Sequence, residues 1–236
     1  MTPRRFAEGV LLVLLGTGLV GGSYWGLLNV PESTVLALVL SALLATLTVL
    51  LIGLTNAVVL AHFAGTPLRR SVLHAARRLP AFLLGLAAFT AVWWFTSFVE
   101  AQWTLHNGEI DALFLRHAGT ANTGWMHASV DWAMWLLRWV LGVAVVEALT
   151  AGQPGLALSG RTLGALVLAL IAATGIAKAA SWRPDGLPPA TAELIFVGVK
   201  LGALAVASAI VAAGVLAVFA RAARPRPSAP AGPGRP

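Results

Sequence analysis

Cysteine is absent from the 236 residues, which excludes disulfides, thiolate metal sites, iron–sulfur clusters and thiol redox chemistry whatever the compartment. Charge is scarce too: 11% of the residues are charged, against about a quarter in an ordinary soluble domain. Acids are the rarer sign, 9 against 16 lysines and arginines. The bases are divided among short connecting segments and form no single face, so the net charge of +7 does not point to nucleic acid. Catalytic signatures are missing as well. There is no His-Glu-x-x-His, no phosphate-binding glycine loop and no paired histidines within facing spans for haem. Ser159 stands beside Gly160, but no histidine follows it in the chain to act as a base. Neither an enzyme nor a cofactor is expected.

What is present is apolar. Hydrophobic residues make up 58% of the chain, and mean hydropathy is +0.83. A spanning helix needs about 20 mostly apolar residues, and six stretches qualify: 9–29, 35–61, 79–98, 130–149, 163–182 and 192–220. The expected fold is all-α, a six-span membrane domain over 1–223 with a disordered Pro/Arg-rich tail over 224–236. Positions 1–29 also resemble a signal sequence, with Arg4 and Arg5 as the basic start and Gly21 and Gly22 near a cleavage point. The apolar run continues through Tyr24, Trp25, Leu27 and Leu28, which favours a retained anchor.

Arginine and tryptophan mark opposite ends of these spans. Arg4, Arg5, Arg69, Arg70, Arg77, Arg78, Arg161, Arg221, Arg224 and Arg226 fall at one end. The nine tryptophans, from Trp25 to Trp182, gather toward the other. Arginine is retained on the cytoplasmic side and indoles settle at headgroup depth. The expected orientation therefore has both termini in the cytoplasm of a bacterial inner membrane, with membrane lipids as the first partners.

Between the second and third spans, Thr66 as N-cap and Pro67 at the first helical position open a helix. Leu68, Val72, Ala75 and Leu79 fall on one side of it, with Arg70, His74, Arg77 and Arg78 opposite. That pattern predicts a short amphipathic helix lying in the membrane plane, its arginines, Arg69 included, on anionic phosphates, and ending at Pro80. The strings Ala64-Gly65-Thr66-Pro67 and Ala151-Gly152-Gln153-Pro154 echo each other, as loop punctuation commonly does.

Ionisable residues inside spans are costly and suggest a site. Arg138, Lys178 and Lys200 all fall roughly 6–12 Å below the tryptophan-rich interface by helical rise. Asp131, Trp135 and Arg138 share one stripe by i, i+4, i+7 spacing, with Trp139 beside it, and Glu193 precedes Lys200 by the same interval. Two arrangements follow. Either Arg138 and the lysines pair with Asp131, Glu193 or Asp185, or they line an outward pocket for a phosphate or carboxylate with indoles against its apolar part. Glu147 lies half a helical turn away from Arg138, where Arg161 or His62 are candidate partners. Asn56 is expected to make an interhelical hydrogen bond.

The only long outer segment, 99–129, carries His106, His117 and His127 with Glu109 and Asp111. Their spacing matches no metal motif, so no metal is expected unless the three histidines converge. The sequence thus predicts a non-enzymatic membrane protein that binds or transports an anionic or amphiphilic molecule. Two alternatives stand beside it: a subunit of a larger membrane assembly or homo-oligomer, and an outer-face metalloenzyme.

Overall fold

The computed structural model describes residues 1–31, 34–118, 123–182 and 191–224. The tail at 225–236, together with Asp185 and the side chain of Glu193, lies outside what is described. The helices are α1 (Pro3–Leu28), α2 (Val35–Ala64), α3 (Leu68–Leu105), α4 (Asn107–Ala118), α5 (Gly124–Thr150), α6 (Gly160–Ser181) and α7 (Thr191–Ala222), with a short 3-10 helix (Pro154–Leu158) before α6. Among the described residues there is no strand. All but α4 and the 3-10 helix are long and apolar enough to cross a membrane. The protein is a six-span, multi-pass membrane protein.

Local chemistry explains the helix ends. Thr34 Oγ1 accepts from the Ala37 amide at 3.1 Å and starts α2. The two echoed strings are one device used twice. The Gly65 amide reaches His62 O and the Thr66 amide Ala61 O; the Gly152 amide reaches Leu149 O and the Gln153 amide Ala148 O. This is the Schellman closure, and it requires a left-handed residue. Gly65 and Gly152 supply it at φ 112° and 76°, and the prolines two residues later prevent the helices from resuming.

The expected in-plane helix is not a separate element. Its residues form the first turns of α3, which runs 38 residues through Pro80, about 57 Å at 1.5 Å per residue. Proline removes one hydrogen bond without always ending a helix. The helix therefore overhangs the ~30 Å hydrocarbon core. It begins one residue later than expected, with Pro67 as N-cap. Within these turns Ser71 and Ala75 are buried against the protein, while Leu68 and Val72 are exposed on its surface. Packing against α2 decides this, because Ala75 closes on Ala57 and Val58. Ser71 is accommodated there by its hydroxyl, which donates to Pro67 O at 3.2 Å and Thr66 O at 3.3 Å.

The core lies toward the arginine-rich end. Val59, Phe63, Ala144, Ala148, Ala213, Ala217 and Phe219 are buried together there, from α2, α5 and α7. Small residues permit this closeness. A Cβ on Gly85 of α3 would stand 2.9 Å from the Val146 Cα of α5. α6 pairs with α7 and less extensively with α5, while α7 meets α5 at few points, which leaves an opening among the three. That opening is the setting of the site.

A candidate site in the groove between α5, α6 and α7

Glu147 stands one turn from the end of α5, is 5% exposed, and shares its surroundings with Asn56 of α2. The Asn56 amide donates to Glu147 Oε1 at 3.0 Å, so the interhelical bond expected of Asn56 is present and its acceptor is an acid. Glu147 Oε2 is buried and has no hydrogen-bond partner among the described residues. Neither expected partner approaches it. Arg161 is exposed, and His62 is turned to Arg5 O at 3.3 Å and Glu8 Oε2 at 3.4 Å.

Glu147 and Asn56 line a cavity of about 290 Å³. Its walls are otherwise largely hydrocarbon: Val140 and Val143 of α5, Leu166 and Leu170 of α6, and Ala212 and Val215 of α7. Trp139 and the Ser208 hydroxyl also face it. Among the described residues of the lining, Glu147 alone is ionisable. A polar group buried in hydrocarbon without a partner is costly, so Glu147 is the chemically conspicuous residue of this cavity.

The cationic stripe is arranged differently from either expectation. Arg138 is 12% exposed at its side chain, and its Nη2 donates to Glu100 Oε2 at 2.7 Å. Its Nε donates to Thr96 Oγ1 at 3.1 Å, and Cζ lies 4.7 Å over the ring of Trp93. Trp93, Thr96 and Glu100 follow i, i+3, i+7 spacing on α3, so one helix face supplies the aromatic plane, the hydroxyl and the acid. Arg138 therefore pairs with Glu100 and stacks on Trp93; Asp131 and Trp135 do neither. Asp131 is exposed and borders a shallow pocket with Glu100, Trp132 and Trp135. Trp139 joins the two regions, meeting Trp93 edge-on at 5.6 Å while facing the Glu147 cavity.

The lysines do not join Arg138. Lys200 Nζ donates to the Trp182 carbonyl and lies 5.7 Å over Phe196, and Lys178 is exposed on α6. At the opposite end, Arg69, Arg70 and Arg77 are exposed. Arg78 packs over Gly152, where a Cβ would meet its Nη1 at 2.0 Å. It shares a pocket with His74 and Arg224.

The histidines are held separately. His106 Nδ1 is 2.8 Å from Gln102 O and His117 Nδ1 is 2.9 Å from Leu113 O, each on its own helix. His127 Nε2 lies 2.9 Å from Asp111 Oδ1, to which the Thr123 hydroxyl also donates at 2.5 Å. The Thr123 hydroxyl, then the His127 ring, hold the Asp111 carboxyl below its ordinary value of 3.8. No three potential metal ligands gather among the described residues. The convergence that a metalloenzyme requires is not seen there.

Comparison with protein-family models, with curated proteins and with solved structures finds no match to this chain.

Proposed function

We propose that this protein binds an amphiphilic small molecule, and passes it across the membrane, through the groove bounded by α5, α6 and α7. One observation carries the reading: Glu147, whose buried Oε2 has no partner among the described residues, lines a cavity otherwise walled largely by hydrocarbon. Apolar cavities with few, convergent polar groups are the usual form of small-molecule sites. The cavity's volume, about 290 Å³, falls at the small end of the range for such sites, about 300–1,000 Å³. An anionic head group near Arg138 would have to compete with Glu100, so the cavity is the stronger candidate. Under this proposal the protein lies in a bacterial inner membrane with its arginine-rich end in the cytoplasm.

The test is retention of tritiated dodecanol or dodecylamine by protein in phosphatidylcholine nanodiscs, with empty nanodiscs as the baseline. At least one of them should bind saturably. Ala173→Trp, on the exposed lip of the groove, should abolish that binding without lowering thermal stability. Saturable binding that survives Ala173→Trp would place the ligand elsewhere.

A specific observation favours the assembly reading as a second possibility. Gly198 and Gly202 are four residues apart on α7, and a Cβ at either would meet nothing within 4 Å. Paired glycines at this spacing allow close approach of another helix. A membrane partner or second copy at this face would be captured by disulfide crosslinking through introduced cysteines, in a chain with none of its own.

A further inference from the structure

We propose that the head group bound by Glu147 is a cation, and that the ligand is a protonated single-chain amine lying along α6. The proposal rests on the cavity reading above and adds to it the charge and shape of the occupant.

The charge follows from what Glu147 lacks. The ion pairs of the described residues join Arg4 and His62 to Glu8, His127 to Asp111 and Arg138 to Glu100. None involves Glu147. Asn56 donates to Oε1 and so fixes the carboxyl plane, leaving Oε2 as the unmet acceptor. Acids inside a membrane are ordinarily paired, and among the described residues the lining offers no lysine, arginine or histidine for the purpose. To an ionised carboxylate, an anionic or acceptor-only head group is the wrong partner at Oε2. A hydroxyl supplies one donor, whereas an ammonium supplies three donors and the opposite charge. An alkylamine, with an intrinsic value near that of lysine at about 10.4, enters charged at neutral pH.

The shape follows from the helices. Leu166 and Ile176 both line the cavity, and ten residues of α6 separate them by about 15 Å. Glu147 and Trp139 are eight residues apart on α5, about 12 Å. The groove is therefore elongated, with its carboxyl near one end and indole toward the other. The small volume and the single polar end suit one chain and exclude a two-chain phospholipid. Ser208 of α7 faces the same space and adds a hydroxyl beside the chain.

The test compares dodecylamine with dodecanol, which share a chain and differ in head group, in phosphatidylcholine nanodiscs near neutral pH after subtraction of partitioning into empty nanodiscs. Dodecylamine should bind about tenfold or more tighter, because it brings the opposite charge and three donors where the alcohol brings one neutral donor. Glu147→Gln keeps an oxygen for Asn56 and should remove the advantage of dodecylamine over dodecanol. Equal affinities in the wild-type protein, or an amine preference that survives Glu147→Gln, would overturn the cation. The wild-type comparison decides the matter even if the variant does not fold. If dodecanol alone binds, the cavity reading stands and the cation fails. If neither binds saturably, both are lost.

Discussion

Arg138 shows how much depends on which acid a buried cation meets. Its guanidinium is bound to Glu100 and Thr96 of α3 and stacked on Trp93. Arg138→Met should therefore strand Glu100 and lower stability. Breaking a wholly buried pair costs about 3–5 kcal/mol; with Glu100 over a third exposed, about 1–3 kcal/mol is expected after solvent screening. Adding Glu100→Gln should recover much of the loss, while adding Asp131→Asn should recover none. Thermal melts of the two double variants settle the pairing, and rescue by Asp131→Asn would contradict it. The sequence marked Arg138, Asn56 and Glu147 individually, since ionisable and amide groups are conspicuous in apolar runs. It could not reveal their partners. Glu100 lies 38 residues from Arg138, and Asn56 91 from Glu147, whereas helical spacing exposes only same-helix neighbours such as Asp131. Glu100 was also read as a loop residue, because its span was expected to end at position 98.

At the scale of elements, the six spans were legible because each needs an unbroken apolar run, and the two glycine turns because left-handed closure leaves a visible Gly and Pro. Two features were hidden. Pro80 was read as a helix end, yet α3 passes through it; one missing amide does not outweigh the bonds on either side. α4 was hidden in what composition marked as loop, because its length of 12 residues is too short for a hydropathy signal. α4 is tied to the start of α5 through Asp111, which accepts from Thr123 and His127. Because these bonds depress the folded value of Asp111 below 3.8, their contribution is present above pH 3.8 and is lost as the pH falls through the folded value. Amide exchange over α4 should therefore rise in acid below that window while exchange in α2 stays protected. Asp111→Asn should already show the raised exchange near neutral pH and add little in acid. An acid response of the same size in Asp111→Asn would assign the titration to another group.

For the molecule as a whole, the packing asymmetry and the charge asymmetry run in the same direction. The helices close tightly where the arginines lie, around Phe63, Ala148 and Phe219, and the groove among α5, α6 and α7 runs from Glu147 near that end to Trp139 nearer mid-span. A cytoplasmic arginine end would place Glu147, one turn from the end of α5, at the cytoplasmic side of the groove. Orientation is thus the premise of any directional function. Six crossings, an even number, put both chain ends on one side, so a single reporter position cannot establish the arrangement. Fusions after Arg78 and after Arg224 should both report cytoplasm, since Arg69, Arg70, Arg77 and Arg78 are exposed or half-exposed at that end and arginine near a span resists export. A fusion after Glu109, within α4, should report the external side. Replacing Arg69, Arg70, Arg77 and Arg78 together with glutamine should weaken that bias and yield mixed signals at all three positions. If the native fusions after Arg78 and Arg224 disagree with each other, the crossing number is odd and the six-span arrangement fails. If they agree with each other but report the external side, the spans stand and the orientation is the reverse of the one proposed.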